Sequence, residues 1–105
     1  MKQLKTVATS MIISIGLFSA TALHADQALA QSKGCLVCHQ VDNKVVGPAL
    51  KDIAAKYKDD SGAPAMLAAK VKAGGVGTWG QIPLPPQATV SDEDINALVA
   101  WILSL

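Results

Sequence analysis

The sequence contains no arginine, only two cysteines and only two histidines among its 105 residues. All nine basic residues are lysines, and two of them, Lys2 and Lys5, lie near the start of the chain. Residues 26–105 therefore carry seven lysines against eight acidic residues. This near-neutral balance argues against nucleic acid or an anionic membrane as the principal partner.

The sequence also lacks an apolar run long enough to span a bilayer. Its most strongly apolar stretch, residues 11–18, falls short of the roughly 20 residues that a transmembrane helix needs. Lys2 and Lys5 precede this stretch, and small residues follow it. The layout predicts a secretory signal peptide over residues 1–25 and a mature domain over residues 26–105. We expect no stable membrane insertion once the signal peptide is removed.

A domain as short as residues 26–105 has a marginal hydrophobic core and usually needs a disulfide, a metal or a bound cofactor. Cys35 and Cys38 are the candidates, and His39 follows them directly. A disulfide between them would close too small a ring to constrain the chain strongly. Zinc would need two further ligands, yet the mature domain has no other cysteine or histidine. A thioredoxin-like redox motif requires a βαβ setting, for which the domain has no room.

Haem attachment is the remaining interpretation, because C-x-x-C-H is the sequence of a c-type haem site. Two thiols at this spacing can add to the two vinyl groups on one edge of a porphyrin. The imidazole of the next residue can then bind the iron as its proximal ligand. The sequence predicts one covalent haem c on Cys35 and Cys38, with His39 as the axial iron ligand.

The rest of the chain predicts short helices, no repeats and no second domain. The segment of residues 74–90 holds four glycines and three prolines and has no strand pattern. Its apolar members indicate an ordered loop packed on something flat. The predicted helices cover residues 27–33, 49–57 and 64–73, and Asp26 caps the first of them. A last helix begins after Ser91, which caps it, and carries an apolar face made of Ile95, Leu98, Val99 and Ile102.

Residues 26–105 resemble the small bacterial class I monohaem cytochromes c, which are electron shuttles of periplasmic respiration. The resemblance implies the all-α class I cytochrome c fold, with about four short helices around one haem and with the first and last helices crossing. It is carried by the combination and order of residues 34–39 (GCLVCH), 46–49 (VGPA), 79–83 (WGQIP) and 85–86 (PP), together with Trp101 in the last helix.

The resemblance also implies roles for residues of the haem pocket. The carbonyl of Pro48 should accept a hydrogen bond from His39 and fix its orientation, and Trp79 should lie near a haem propionate. The implied function is one-electron transfer in the periplasm, between periplasmic or membrane-bound redox proteins that dock transiently. We expect a monomer, and we do not expect an enzyme.

Residue 84 departs from the family pattern. The family's loop reads Ile-Pro-Met-Pro-Pro, and its methionine sulfur is the second axial ligand, whereas this chain has Leu84 at that position. Leucine fills nearly the same volume as methionine, but it has no lone pair to offer iron. We therefore expect a lower reduction potential and a more open distal face.

This departure leaves the sixth iron ligand undetermined. Met66, Lys70 and Lys72 are conceivable substitutes, and His24 becomes one if the signal peptide is cleaved at Ala22. The alternative function is a five-coordinate cytochrome c that binds NO, CO or peroxide at the distal site. Efficient peroxidases use a distal acid–base group, and the mature domain has no second histidine to supply one. We therefore rank an enzyme below a ligand binder, and a ligand binder below an electron carrier.

Overall fold

The computed structural model describes residues 8, 11–14, 16 and 25–105. The predicted signal peptide falls largely outside the described residues and stays a prediction. Among the helices that are described, none is long and apolar enough to cross a membrane. In chain order the elements are α1 (Gln27–Ser32), α2 (Cys35–Cys38), α3 (Leu50–Tyr57), α4 (Ala63–Ala73), β1 (Gly75–Gly77), β2 (Gly80–Leu84) and α5 (Asp92–Leu103).

Helix α1 begins at Gln27 because the side chain of Asp26 caps it. The Asp26 carboxylate accepts a hydrogen bond from the backbone N–H of Leu29 at 3.0 Å. The helix ends before Gly34, which has a φ of 79°, a left-handed conformation that favours glycine. The chain then turns directly into α2, a single helical turn that carries both cysteines.

Helix α5 is the longest of the described helices, and both α3 and α4 pack against it. It begins after Ser91, whose hydroxyl accepts a hydrogen bond from the N–H of Asp94 at 3.1 Å. Three acidic residues occupy its first turn, where the helix dipole stabilises negative charge. Ile95, Leu98 and Val99 are buried, as their i, i+3, i+4 spacing predicts. The cap and the buried face predicted from the sequence are both confirmed.

The core lies where α3 and α4 pack against α5. Val90, Ile95 and Val99 form its buried centre, and partly buried residues of α4 surround them. The N-terminal part of the chain is joined to α5 by an ion pair, with Nζ of Lys33 3.4 Å from Oδ2 of Asp94.

The segment of residues 74–90 contains a small antiparallel ribbon, so the prediction that it has no strand was wrong. Strand β1 pairs with β2, with Gly75 opposite Leu84 and Gly77 opposite Gly80. Most residues of the ribbon are exposed, so it does not need the alternating apolar pattern of a half-buried strand. Pro83 is tolerated because a two-stranded ribbon leaves one edge of each strand open. The described fold is thus mostly helical with one two-stranded sheet.

Candidate functional site

A largely apolar cleft lies at the centre of the domain and draws its lining from α2, α3, α4, both strands and α5. The sequence alone does not identify the apolar residues that complete its walls, since core and pocket positions of a helix carry the same apolar signal. The structure brings all six predicted site residues to this cleft: Cys35, Cys38, His39, Pro48, Trp79 and Leu84.

The two cysteines lie on one side of the short helix α2. Their spacing of three residues places them on the same helix face, and both are free, half-buried thiols. Burial raises the pKa of the Cys35 thiol, and a backbone hydrogen bond partly offsets this effect. The Cys35 thiol in the cleft is therefore uncharged at neutral pH.

His39 is oriented by the backbone of the loop that follows it. Its Nδ1 atom lies 2.7 Å from the carbonyl oxygen of Pro48. A proline carbonyl can only accept a hydrogen bond, so Nδ1 carries the proton and donates. The lone pair of Nε2 is then free to bind a metal ion. This contact is the one that the family resemblance implies.

The loop between His39 and α3 is held by main-chain hydrogen bonds to residues 38 and 40. The N–H of Gly47 donates to the carbonyl of Cys38 at 2.7 Å, and the N–H of Leu50 donates to the carbonyl of Gln40 at 2.9 Å. His39 also pairs with Lys44 in an isolated antiparallel bridge. These bonds hold the Pro48 carbonyl in place beside the imidazole.

Leu84 ends strand β2, and the backbone that follows is fixed to α4. The N–H of Gln87 donates to the carbonyl of Val71 at 3.1 Å, and the Gln87 side chain donates to the carbonyl of Pro85 at 3.0 Å. We refer to residues 84–87 as the distal loop. Its backbone is therefore ordered by hydrogen bonds that do not involve the side chain of Leu84.

The conceivable substitutes for the missing methionine differ in position. Lys70 lines the cleft, whereas Met66 and Lys72 are not among the described residues that line it. Met66 is 41% exposed on α4. The ammonium of Lys72 donates to the carbonyl of Val90 at 2.8 Å, which holds it elsewhere. His24 lies outside the described residues.

A polar contact between α4 and the ribbon was not foreseen from the sequence. The ammonium of Lys70 donates to the hydroxyl of Thr78, and both residues line the cleft. From the sequence, Lys70 is a candidate only as a substitute ligand. The sequence cannot place Thr78 beside it, because this contact depends on the turn between the two strands.

Trp79 lies at the mouth of the cleft, with 40% of its surface exposed. The ammonium of Lys56 lies 5.2 Å from the centre of its ring, within the range of a cation–π interaction. Trp79 thus lines the cleft and also contacts a cation, Lys56, that is not among the residues lining it.

The side chains present fit a c-type haem. An apolar cleft brings together two thiols at the attachment spacing and an imidazole whose Nδ1 is already occupied. Within the described part of the chain, no group of three or more His, Cys, Asp or Glu residues could hold a metal ion. The donors of a tetrahedral zinc site are therefore not assembled there.

Comparison with known proteins gives the same assignment. The family model for cytochrome c matches residues 26–105. Cytochrome c-552 of Nitrosomonas europaea is 55% identical over 97 residues, covering 87% of this chain and 94% of that protein. Cytochrome c-551 of Allochromatium vinosum is 60% identical over 81 residues, covering 77% and 86% of the two chains.

A solved structure confirms the class I fold. The crystal structure of Nitrosomonas europaea cytochrome c552 superposes with a TM-score of 0.73 at 58% identity, covering 75% of this chain and 98% of that chain. The close relatives are electron-transfer cytochromes and not enzymes. The chain therefore belongs to the cytochrome c family, as a small class I monohaem cytochrome c that carries one covalently bound haem c on Cys35 and Cys38.

Proposed function

We propose that this protein is a periplasmic electron carrier that passes single electrons between periplasmic or membrane-bound redox proteins. When bound, the haem supplies the one-electron couple of its iron. The observation that carries the proposal is the apolar cleft in which Cys35, Cys38 and an oriented His39 meet.

The protein's own residues prepare this site for electron transfer. The Pro48 carbonyl holds the His39 imidazole in one tautomer, so Nε2 would be the atom that binds the iron. The apolar lining limits the access of water to the iron and thereby affects its potential. Leu84 contributes to that lining but offers no ligand atom. The proposed carrier accordingly has a lower potential than one with methionine at this position.

Exposed apolar side chains near the cleft support transient docking. Val37 lies between the two attachment cysteines and is 76% exposed, while Val46 and Ile82 line the cleft and are 44% and 63% exposed. We propose that these side chains form one apolar docking patch, a feature typical of interaction sites. A small patch suits a partner that must dissociate after each electron, and it requires only a small interface. We propose that the carrier acts as a monomer.

The lysines near the haem-binding motif differ in their availability for steering a partner. Lys33 is paired with Asp94 at 3.4 Å, and Lys51 is paired with Asp42 at 2.6 Å. Lys56 instead lies over Trp79, beside the mouth of the cleft. We propose that Lys56 contributes to steering an acidic partner towards the haem.

The proposed periplasmic location of the protein is based on residues 1–25. Their basic start and the apolar run that follows support export to the periplasm. An exported site also agrees with the presence of a covalent haem motif in a chain with no other cysteine. The five-coordinate ligand binder stays the second candidate and rests on Leu84 alone.

Electron self-exchange between oxidised and reduced copies, measured by NMR, tests the carrier proposal with a defined partner. We expect exchange to slow at least several-fold in Ile82→Asp and to be unchanged in the control Glu93→Gln, which lies on α5 away from the cleft lining. The reduction potential should stay as in the wild type in Glu93→Gln, whereas Ile82→Asp also places a carboxylate in the cleft lining and should lower it. Equal exchange rates in Ile82→Asp and the wild type would contradict docking through the exposed apolar residues.

A visible spectrum of the reduced protein with and without CO separates the two candidate functions. Low-spin bands that CO leaves unchanged would eliminate the ligand binder. A high-spin spectrum with rapid CO uptake, combined with slow self-exchange, would favour the ligand binder over the carrier.

A further inference from the structure

We infer that Gly47 is a positioning residue that sets the rotation of the His39 imidazole about its bond to the iron. This inference rests on the proposed role of His39 as the proximal ligand. It assigns to Gly47 a function that is separate from the hydrogen bond made by Pro48.

The backbone of Gly47 lies directly against the imidazole ring. A Cβ atom at this position would lie 2.6 Å from Cε1, 2.9 Å from Nδ1 and 3.0 Å from Nε2 of His39. The two nitrogens are nearly as close as Cε1, so the Cβ would stand over the face of the ring. An approach from the ring edge would leave both nitrogens clearly farther away.

Gly47 and Pro48 therefore restrain the ring in two different directions. The Pro48 carbonyl binds the ring at its edge, through Nδ1 at 2.7 Å. A single hydrogen bond at the edge holds Nδ1 near the carbonyl but resists a turn of the ring plane only weakly. Contact with the Gly47 backbone on the ring face blocks that turn on one side.

Glycine is required at position 47 because there is no room for a side chain, and not because of the backbone conformation. Gly47 is not one of the glycines with positive φ, which are Gly34, Gly74, Gly77 and Gly80. Its backbone conformation is therefore open to other residues. The close approach of the imidazole excludes a side chain, whereas the backbone conformation does not.

A side chain at position 47 would displace the ring more readily than the backbone. The N–H of Gly47 donates to the carbonyl of Cys38 at 2.7 Å, and Cys38 is fixed by its bond to the haem. On the other side, Ala49 and Leu50 are buried at 2% and 1% exposure. The imidazole is attached through two rotatable bonds and can turn, so the ring plane has to change.

The orientation of an axial imidazole is one of the ways in which a protein tunes a haem iron. Gly47→Ala should therefore alter the electronic structure at the iron while leaving the ligand itself in place. Gly62→Ala is the matched control, because Gly62 has a φ of −85° and a Cβ there would meet nothing closer than Oδ1 of Asp60 at 3.4 Å.

The test measures the proton NMR shifts of the four haem methyl groups in the ferric holoprotein with cyanide as the sixth ligand. Cyanide gives every variant the same distal ligand, so differences report on the proximal side. We expect the order or spread of the four resonances to change in Gly47→Ala and to stay as in the wild type in Gly62→Ala. Wild-type methyl shifts in Gly47→Ala would overturn the inference.

A second measurement keeps the inference testable if Gly47→Ala yields no holoprotein. In the diamagnetic ferrous wild-type protein, under CO where needed, an α-proton of Gly47 should show a strong nuclear Overhauser contact with Hε1 of His39. The absence of that contact would also overturn it. If the wild type fails to exchange electrons while the Overhauser contact is present, the carrier proposal fails and the placement of Gly47 stands.

Discussion

The backbone of Gly74 packs against the carbonyl oxygen of Leu84: a Cβ atom at Gly74 would lie 2.5 Å from that oxygen and 2.8 Å from the nitrogen of Pro86. Gly74 also has a φ of 73°, which favours glycine. The C-terminal end of α4 and the start of the distal loop are thereby held together by close backbone contact. This contact depends on the absence of a side chain.

Gly74→Ala should lower the free energy of unfolding by more than about 1 kcal/mol, because both the conformation and the space are unsuitable for a side chain. Gly75→Ala is the matched control, since its Cβ would meet only Cε of Lys70, at 3.7 Å. Urea unfolding of the two holoproteins measures the difference. Equal stabilities of the two variants would contradict the packing of Gly74 on the distal loop.

Leu84→Met should supply the thioether that this chain lacks and raise the reduction potential of the haem. We expect the ferric and ferrous spectra to become low-spin, or to remain so with a new sulfur-to-iron charge-transfer band. Leu84→Ile is the control, because it changes the shape at this position without adding sulfur. If Leu84→Met leaves both the spectrum and the potential unchanged, residue 84 does not face the iron.

Ile95→Ala should be among the most destabilising single substitutions in the domain. Ile95 is 2% exposed at the centre of the core, and truncating such a residue to alanine costs about 2–5 kcal/mol. Val76→Ala is a suitable comparison, because Val76 is 58% exposed on β1 and should cost about 0.5 kcal/mol or less. Similar losses in the two variants, measured by urea unfolding, would show that Ile95 is not a core residue.

The ion pair between Lys33 and Asp94 should contribute little to stability. Both side chains keep access to solvent, at 36% and 22% exposure, so we expect a coupling free energy of about 1 kcal/mol or less. A double-mutant cycle with Lys33→Ala and Asp94→Ala measures it, using urea because guanidinium chloride would itself screen the charges. A coupling of several kcal/mol, or one that added salt does not weaken, would contradict this prediction.

The helices and the proximal half of the site could be predicted because their signals are local. Asp26 and Ser91 cap the helices that their positions predict, and the apolar face of α5 follows the helical repeat. Cys35, Cys38 and His39 lie within five residues, so their chemistry could be identified without knowledge of the fold. The Pro48 contact came from the family resemblance, because no local pattern indicates which carbonyl lies beside an imidazole.

The ribbon and the contacts that depend on it could not be predicted in this way. Strands β1 and β2 are short, exposed and rich in glycine, so neither shows the period of two that marks a half-buried strand. The contact of Lys70 with Thr78 requires the turn between strands β1 and β2. The contact of Gly47 with His39 joins residues eight positions apart and has no sequence signal beyond the glycine itself.

The most direct test of the account is a spectroelectrochemical titration of the purified wild-type holoprotein. We predict one covalently bound haem per chain and a single reversible titration curve that fits the Nernst equation for one electron. We also predict a potential lower than that of Leu84→Met measured under the same conditions. An irreversible titration, or haem that is released when the protein is denatured, would contradict the assignment of Cys35, Cys38 and His39 as an electron-carrying haem c site.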